Sequence, residues 1–388
     1  MKHVPAPHSL IQRLIDSPKS FTSADISTLL GIDPLNPPEQ PFLAQELINI
    51  SDLKYAVLKI FDQNEDYKFD NSYQGYLGFM NDWSLSRRKK KFVKKIKSNP
   101  KALKIIAEGD SWFEHPVSRD IVDWLNKLGG DDTAIYSVAR GGDFLTNILE
   151  EREYITDVSV INPDFFLLSA GGIEIVSEWR VSLLIDPKAA YVTETFVRKH
   201  PLLQEVLCNP DLPTSTKQRL ENGIRFFTRE YFALMALLEL KYKYLIKQLR
   251  KKFSSLKMIC HGYDYPIPSF SRGPWSRPKQ RLVRMVGDNG RHFKQPMTIK
   301  GITDQQNQKD VTFAMLYLFN EMLHRLVQDP IFGQEVYMID CRGYARPQDW
   351  EDELHLRPQR IRQVADTFLE CMRNGNAEQK VFYVKRED

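Results

Sequence analysis

Two short strings carry the residue types that acyl chemistry needs. Gly109-Asp110-Ser111-Trp112-Phe113 follows the mostly apolar run Leu103 to Ala107, and Asp352-Glu353-Leu354-His355 stands near the C-terminus. A β-rich segment feeding a glycine turn puts a serine just past a strand end. That is the carboxyl edge of a sheet, where open α/β folds place their chemistry. A serine hydroxyl is a poor nucleophile until a base takes its proton and donors receive the developing oxyanion. An acid three residues before a histidine can bond one ring nitrogen and leave the other free to accept that proton. Such a string also arises by chance at the start of a surface helix, so its position decides its weight.

The elements between the strings supply that position. Candidate strands are Lys104–Ala107, Ile135–Ala139, Phe165–Ala170, Lys257–Cys260 and Val336–Asp340, separated by long helical stretches, the longest from about Gly223 to Phe253. Short β-rich runs alternating with helical crossovers predict a parallel, doubly wound sheet. Gly-Asp-Ser then follows the first strand and Asp-x-x-His follows the last. Stretches 176–222 and 266–310 exceed what a crossover needs and are candidates for lid-like insertions. Residues 1 to about 100 have a different texture. Ser9 to Ile15, Ser23 to Leu30 and Leu43 to Phe61 read as helices, interrupted by Gly31 and the proline-rich 34–38.

Together these strings resemble the SGNH (GDSL-type) hydrolase family over residues 101–388. The resemblance implies a three-layer, flavodoxin-like α/β fold with a five-stranded parallel sheet, preceded by an N-terminal helical accessory region at 1–100. It makes Ser111 the nucleophile, His355 the general base and Asp352 the orienting acid. Ala139-Arg140-Gly141-Gly142-Asp143 looks like the second block, in which the Gly142 N–H joins that of Ser111 in an oxyanion hole; Gly141 is a rival for the role. Asp143 reads as a cap for the helix Phe144 to Glu151. Cys260-His261-Gly262-Tyr263-Asp264-Tyr265 and Tyr337-Met338-Ile339-Asp340 stand where this family ends its later strands.

The third block departs from the pattern. Gly171-Gly172-Ile173-Glu174 stands where the family has Gly-Gly-Asn-Asp, and Ile173 has no hydrogen bond to donate. Loss of one oxyanion donor costs ~10²–10³ in turnover. Glu174 could replace it only if protonated. The implied activity is hydrolysis of an ester or related acyl bond through an acyl-enzyme, with no organic cofactor and no metal. The rival is a weak or inactive protein on this scaffold, serving as a ligand-binding or regulatory module.

Composition narrows the partners. The net charge of +4 is modest, and Arg87 to Lys97 holds eight basic residues and no acid; without them the chain is net acidic. This argues against nucleic acid, and the resemblance implies a small-molecule or lipid-like ester substrate. The run could touch an anionic surface, or form a solvated helix docked by Phe92, Val93 and Ile96. Phe226, Phe227, Tyr231 and Phe232 read as core. His115 and His261 lie near strand ends, where packing or solvent roles are favoured over lining the pocket. The four cysteines lack metal-type spacing, with Cys260 and Cys341 read as buried thiols. No signal-like N-terminus and no run of ~18 apolar residues is found, so a cytoplasmic setting is expected.

Overall fold

Five apolar runs form the heart of a parallel sheet: Leu103–Gly109 (β1), Thr133–Ser137 (β2), Phe165–Ser169 (β3), Lys257–His261 (β4) and Val336–Asp340 (β5). β3 and β5 are buried along their whole length, as strands covered on both faces must be. The computed structural model describes residues 76–115, 118–176, 180–189, 191–269, 290 and 292–386. The N-terminal helices expected between residues 9 and 61 lie outside this range.

The strand order is β2-β1-β3-β4-β5-β6, with every pair parallel. Its first five positions are the flavodoxin-like 2-1-3-4-5 order, whose ligand crevice opens where β1 and β3 part. The expectation of five strands is short by one. Val381–Tyr383 (β6) adds to the β5 edge, Met338 aligning with Val381 and Asp340 with Tyr383. At three residues it is too brief to give a periodic signal. β2 also starts and stops two residues early. Val138 and Ala139 have left the sheet, and both turn their N–H onto Ala107 O across the end of β1.

Helices cover both faces. Tyr76–Ser98 (α1) runs along β2; Ile121–Leu128 (α2) packs with Pro358–Asn374 (α9) on one face. Leu145–Glu151 (α3) leads into Glu153–Ile161 (α4), and Gly172–Val176 (α5) follows β3. Thr214–Ile224 (α6), Arg229–Lys252 (α7) and Gln305–Gln328 (α8) form a second group in which α6 and α7 both pack on α8. The single helix expected over 223–253 is therefore broken at 225–228. There the chain pairs sideways with 184–186: Ile185 bridges Phe227, Asp186 N–H donates to Phe226 O, and Thr228 N–H donates to Leu184 O. Phe226, Phe227, Tyr231 and Phe232 are buried, as their spacing implies. Among the described residues no helix is long and apolar enough to cross a membrane.

The basic helix is only partly a solvated one. Phe92 is buried beside Ala102 and Ala134 with Ile96 alongside, whereas Val93 points outward at 48% exposure. Two of the eight cations turn inward. Lys95 Nζ donates to three carbonyls, of Asn126, Gly130 and Thr133. Arg88, at 3% exposure, reaches Phe113 O at 2.5 Å, Glu114 Oε2 at 2.7 Å and Asp120 Oδ2 at 2.5 Å. The sequence pattern alone places both on a charged surface. What buries them is the set of carbonyls and carboxylates that the main domain turns toward α1.

Candidate active site

The turn carrying Ser111 is fixed by contacts that side chains would block. Gly109 has φ +145, and a Cβ there would stand 2.1 Å from Ser169 O, so only glycine lets β1 pass β3 this closely. Asp110 N–H then donates to that same Ser169 carbonyl at 2.8 Å. The Asp110 carboxylate is buried and accepts three hydrogen bonds: Tyr263 O–H at 2.6 Å, Ser169 O–H at 2.9 Å and Trp112 N–H at 3.1 Å. Burial pushes its pKa up to about 6, against those three donors.

Behind Asp110 the polar chain continues inward. His261 Nδ1 lies 3.0 Å from Ser169 Oγ, and Cys341 Sγ lies 3.5 Å from His261 Nε2. Ser169 gives its one proton to Asp110, so it accepts from His261 Nδ1–H, and Nε2 is left to accept from the Cys341 thiol. Burial lowers the His261 pKa to about 3 and raises that of Cys341, so both are neutral. His261 is thus a packed, hydrogen-bonded residue under Trp112, ring centroids 5.0 Å apart. The thiols of Cys260 and Cys341 are free and buried.

The second string meets Ser111 from the far end of the chain. His355 Nε2 is 2.7 Å from Ser111 Oγ, and His355 Nδ1 is 3.0 Å from Asp352 Oδ2. Asp352 Oδ1 also accepts the backbone N–H groups of Leu354 and His355, both at 2.7 Å. Burial alone would raise the Asp352 pKa. The adjacent imidazole and its hydrogen bond win, and hold the carboxyl well below the usual carboxylate range. A Trp350–Leu356 bridge and a Glu351 N–H bond to His355 O close the loop into a tight hairpin.

Gly142 has φ +84, a conformation that favours glycine, and neither its N–H nor that of Ser111 meets an acceptor among the described residues. Asp143 is not the expected cap: α3 begins one residue later, with Phe144 at the N-cap position and no side-chain cap bond, and Asp143 Oδ1 accepts instead from Phe144 N–H and Asn147 Nδ2, both at 2.9 Å. Ile173 is nearly buried on α5 and lines a recess beside Ser111. Glu174 turns the other way. Its Oε1 accepts the Thr146 N–H at 3.3 Å and lies 4.0 Å from Lys241 Nζ, so it braces the second block against the third.

His115 packs edge-on against His355, centroids 4.6 Å apart, and its Nδ1 accepts the Ser118 N–H. Burial lowers its pKa to about 3. His115, Asp352 and His355 offer three ligand-type atoms within 4.8 Å of one another. A cation there would compete with Ser111 and Asp352 for the two His355 nitrogens, so the trio fits proton transfer better than ligation.

No family profile matches the chain, and no curated protein matches it. Among solved structures, an extracellular lipase from Streptomyces rimosus shares 12% identity over 71% of this chain and 100% of its own, at a TM-score of 0.35. A protein from Parabacteroides merdae described as GDSL-like shares 11%, over 70% of this chain and 96% of its own, at a TM-score of 0.32. An acetyl xylan esterase, AlAXEase, shares 14%, over 69% and 99%, at a TM-score of 0.30. Likenesses this distant carry no weight for the chemistry, which stands on the geometry of this chain.

One further residue escaped the sequence reading although it lies inside the second string. Glu353 is buried, and its carboxylate accepts backbone N–H groups from Ser269, His292, Phe293 and Lys294 at 2.8–3.3 Å. It staples both described stems of the second insertion to the loop of His355. His292 Nδ1 lies 2.8 Å from Val176 O, which carries the tie on to α5. No local signal marks this role, because the donors that Glu353 holds lie 59 to 84 positions away in the chain.

Proposed function

We propose that the protein is a serine hydrolase of the SGNH type, acting on an ester or related acyl bond. The observation that carries this is the continuous chain Ser111 Oγ, His355 Nε2, His355 Nδ1, Asp352, with 2.7 Å and 3.0 Å separations. Ser111 Oγ attacks the carbonyl carbon while its proton passes to His355 Nε2. The ionised Asp352 holds the imidazole by Nδ1–H and stabilises the imidazolium. The Ser111 and Gly142 N–H groups, which meet no acceptor among the described residues, receive the oxyanion. The C–O bond to the leaving group then breaks, and the departing oxygen takes the proton back from His355. Water, deprotonated by His355, releases the acid and restores Ser111.

Ile173 lowers the power expected of this site, because two backbone donors act where a third would add ~10²–10³ in turnover. It also supports a second reading, a ligand-binding module whose triad geometry outlasts its activity. A fluorophosphonate probe separates the two. Wild type should be labelled and should turn over p-nitrophenyl esters, and Ser111→Ala should do neither. Wild-type protein that stays unlabelled beside a labelled control hydrolase would sink the hydrolase reading.

A further inference from the structure

Beside Ser111 the described residues leave a small recess, walled by Trp112, Ile173, Val176, Pro266, Leu316 and Leu354. Three polar residues also border it, and each has its polar atoms engaged. The Asp110 carboxylate takes its three hydrogen bonds, one of them from the Tyr263 hydroxyl. The Asp264 carboxylate accepts the N–H groups of Tyr265, Gly343 and Ala345 at 2.6–2.7 Å. What the recess offers an occupant is hydrocarbon, in a place where an unpaired polar group would lose its hydration without compensation.

Its size restricts the occupant. The volume is about 30 Å³, far below the ~150 Å³ of an apolar cavity that admits benzene. One or two carbons fit. The chemistry says which half of an ester they belong to. The leaving group must depart past His355, which protonates it, whereas the acyl group stays bonded to Ser111 through a second step. A small apolar recess next to Ser111 suits the half that stays.

We propose that this recess is the acyl pocket, that it selects acetyl and propionyl groups over long chains, and that Ile173 is its selecting wall. This inference rests on the hydrolase reading above. It gives Ile173 a role of its own: at the position where a polar donor would stand, it turns the pocket floor into hydrocarbon. Val176 and Pro266 sit at the roots of the two insertions, so both insertions contribute to the same wall.

The test is a series of p-nitrophenyl acetate, propionate, butyrate and octanoate on the full chain, with Ser111→Ala as the background. A misfitted methylene typically costs ~10–200-fold, so kcat/KM for octanoate should lie at least ~10-fold below that for acetate. Ile173→Ala should move the optimum to butyrate or beyond, read as a rise of the butyrate-to-acetate ratio of kcat/KM. Val176→Ala, a milder change in the same wall, should move it the same way if Ile173→Ala does not fold. Wild type that is labelled by fluorophosphonate but prefers octanoate overturns the acyl pocket and leaves the hydrolase standing. A chain-length profile unmoved by both substitutions also overturns it. No labelling and no turnover above Ser111→Ala takes down both.

Discussion

Arg88 Nη2 lies 2.5 Å from Asp120 Oδ2, and that same oxygen accepts the His115 N–H at 2.9 Å. A cation on α1 is therefore one carboxylate away from the ring packed on His355. The same guanidinium holds Phe113 O, two residues after Ser111, and Glu114 Oε2. Burial works against its charge, but the carboxylates of Asp120 and Glu114 outweigh it and hold Arg88 protonated. Helix α1 thus belongs physically to the scaffold of the Ser111 turn.

Arg88→Met should consequently destabilise the protein by ~3–5 kcal/mol, the usual cost of leaving buried carboxylates without their cation. Urea unfolding measures it. Arg88→Lys should recover only part, because a single ammonium cannot span Phe113 O, Glu114 and Asp120 in the fixed geometry of the guanidinium fork. A Met variant within 1 kcal/mol of wild type would show the cluster to be dispensable.

Much of the site was legible from local strings, and what was missed shares one cause. Ser111 and Gly142 each sit in a short run just past a strand end, Asp352 and His355 in a short run after β5, and the order of those runs along the chain is visible. Arg88 was counted among solvated charges, because nothing local tells that the main domain would turn Asp120 and Glu114 toward it. Ser169 and Tyr263 meet Asp110 from 59 and 153 positions away, so their role exists only once β3 and β4 lie beside β1. β6 was invisible for a different reason. Three residues on an edge gain their strand conformation from pairing with β5, not from any periodicity of their own.

The Asp110 cluster predicts a pH effect on stability of defined sign. Burial raises the folded-state pKa to about 6, above the ~3.9 of an unfolded aspartate. The stability linked to this group is therefore complete below ~4 and is lost as pH rises through about 6, a change of ~3 kcal/mol. Other buried acids, Asp143 at about 7 and Asp264 at about 6, slope the same way. The informative quantity is thus the difference between wild type and Asp110→Asn. Unfolding free energies at pH 4 and pH 7 should show a smaller decline in the variant. Equal declines would mean that Asp110 titrates as it does in the unfolded chain.

Glu353 gives a prediction about architecture. Its two carboxylate oxygens serve four backbone donors, two each. A glutamine has one acceptor oxygen, and its amide would point N–H at N–H. Glu353→Gln should cost ~2–4 kcal/mol through donors left unpaired in the interior. Because the stems it holds join the loop of His355, fluorophosphonate labelling of Ser111 should also slow by ~10-fold or more. An unchanged urea midpoint would show that the staple is not needed.

Ile173→Asn pits the two roles of this position against each other. The variant places an amide donor on α5 in the recess that Ser111 also borders, where the neighbouring polar atoms are already engaged. If the oxyanion lies within its reach, kcat for p-nitrophenyl acetate should rise by ~10-fold or more, up to the ~10²–10³ typical of one such donor. KM for the same ester should rise as well, because an amide replaces hydrocarbon against the acetyl methyl group. A rise in both constants would assign position 173 to the oxyanion and the acyl group at once. If kcat falls while KM rises, the side chain faces only the acyl group, and the third donor has no place in this architecture.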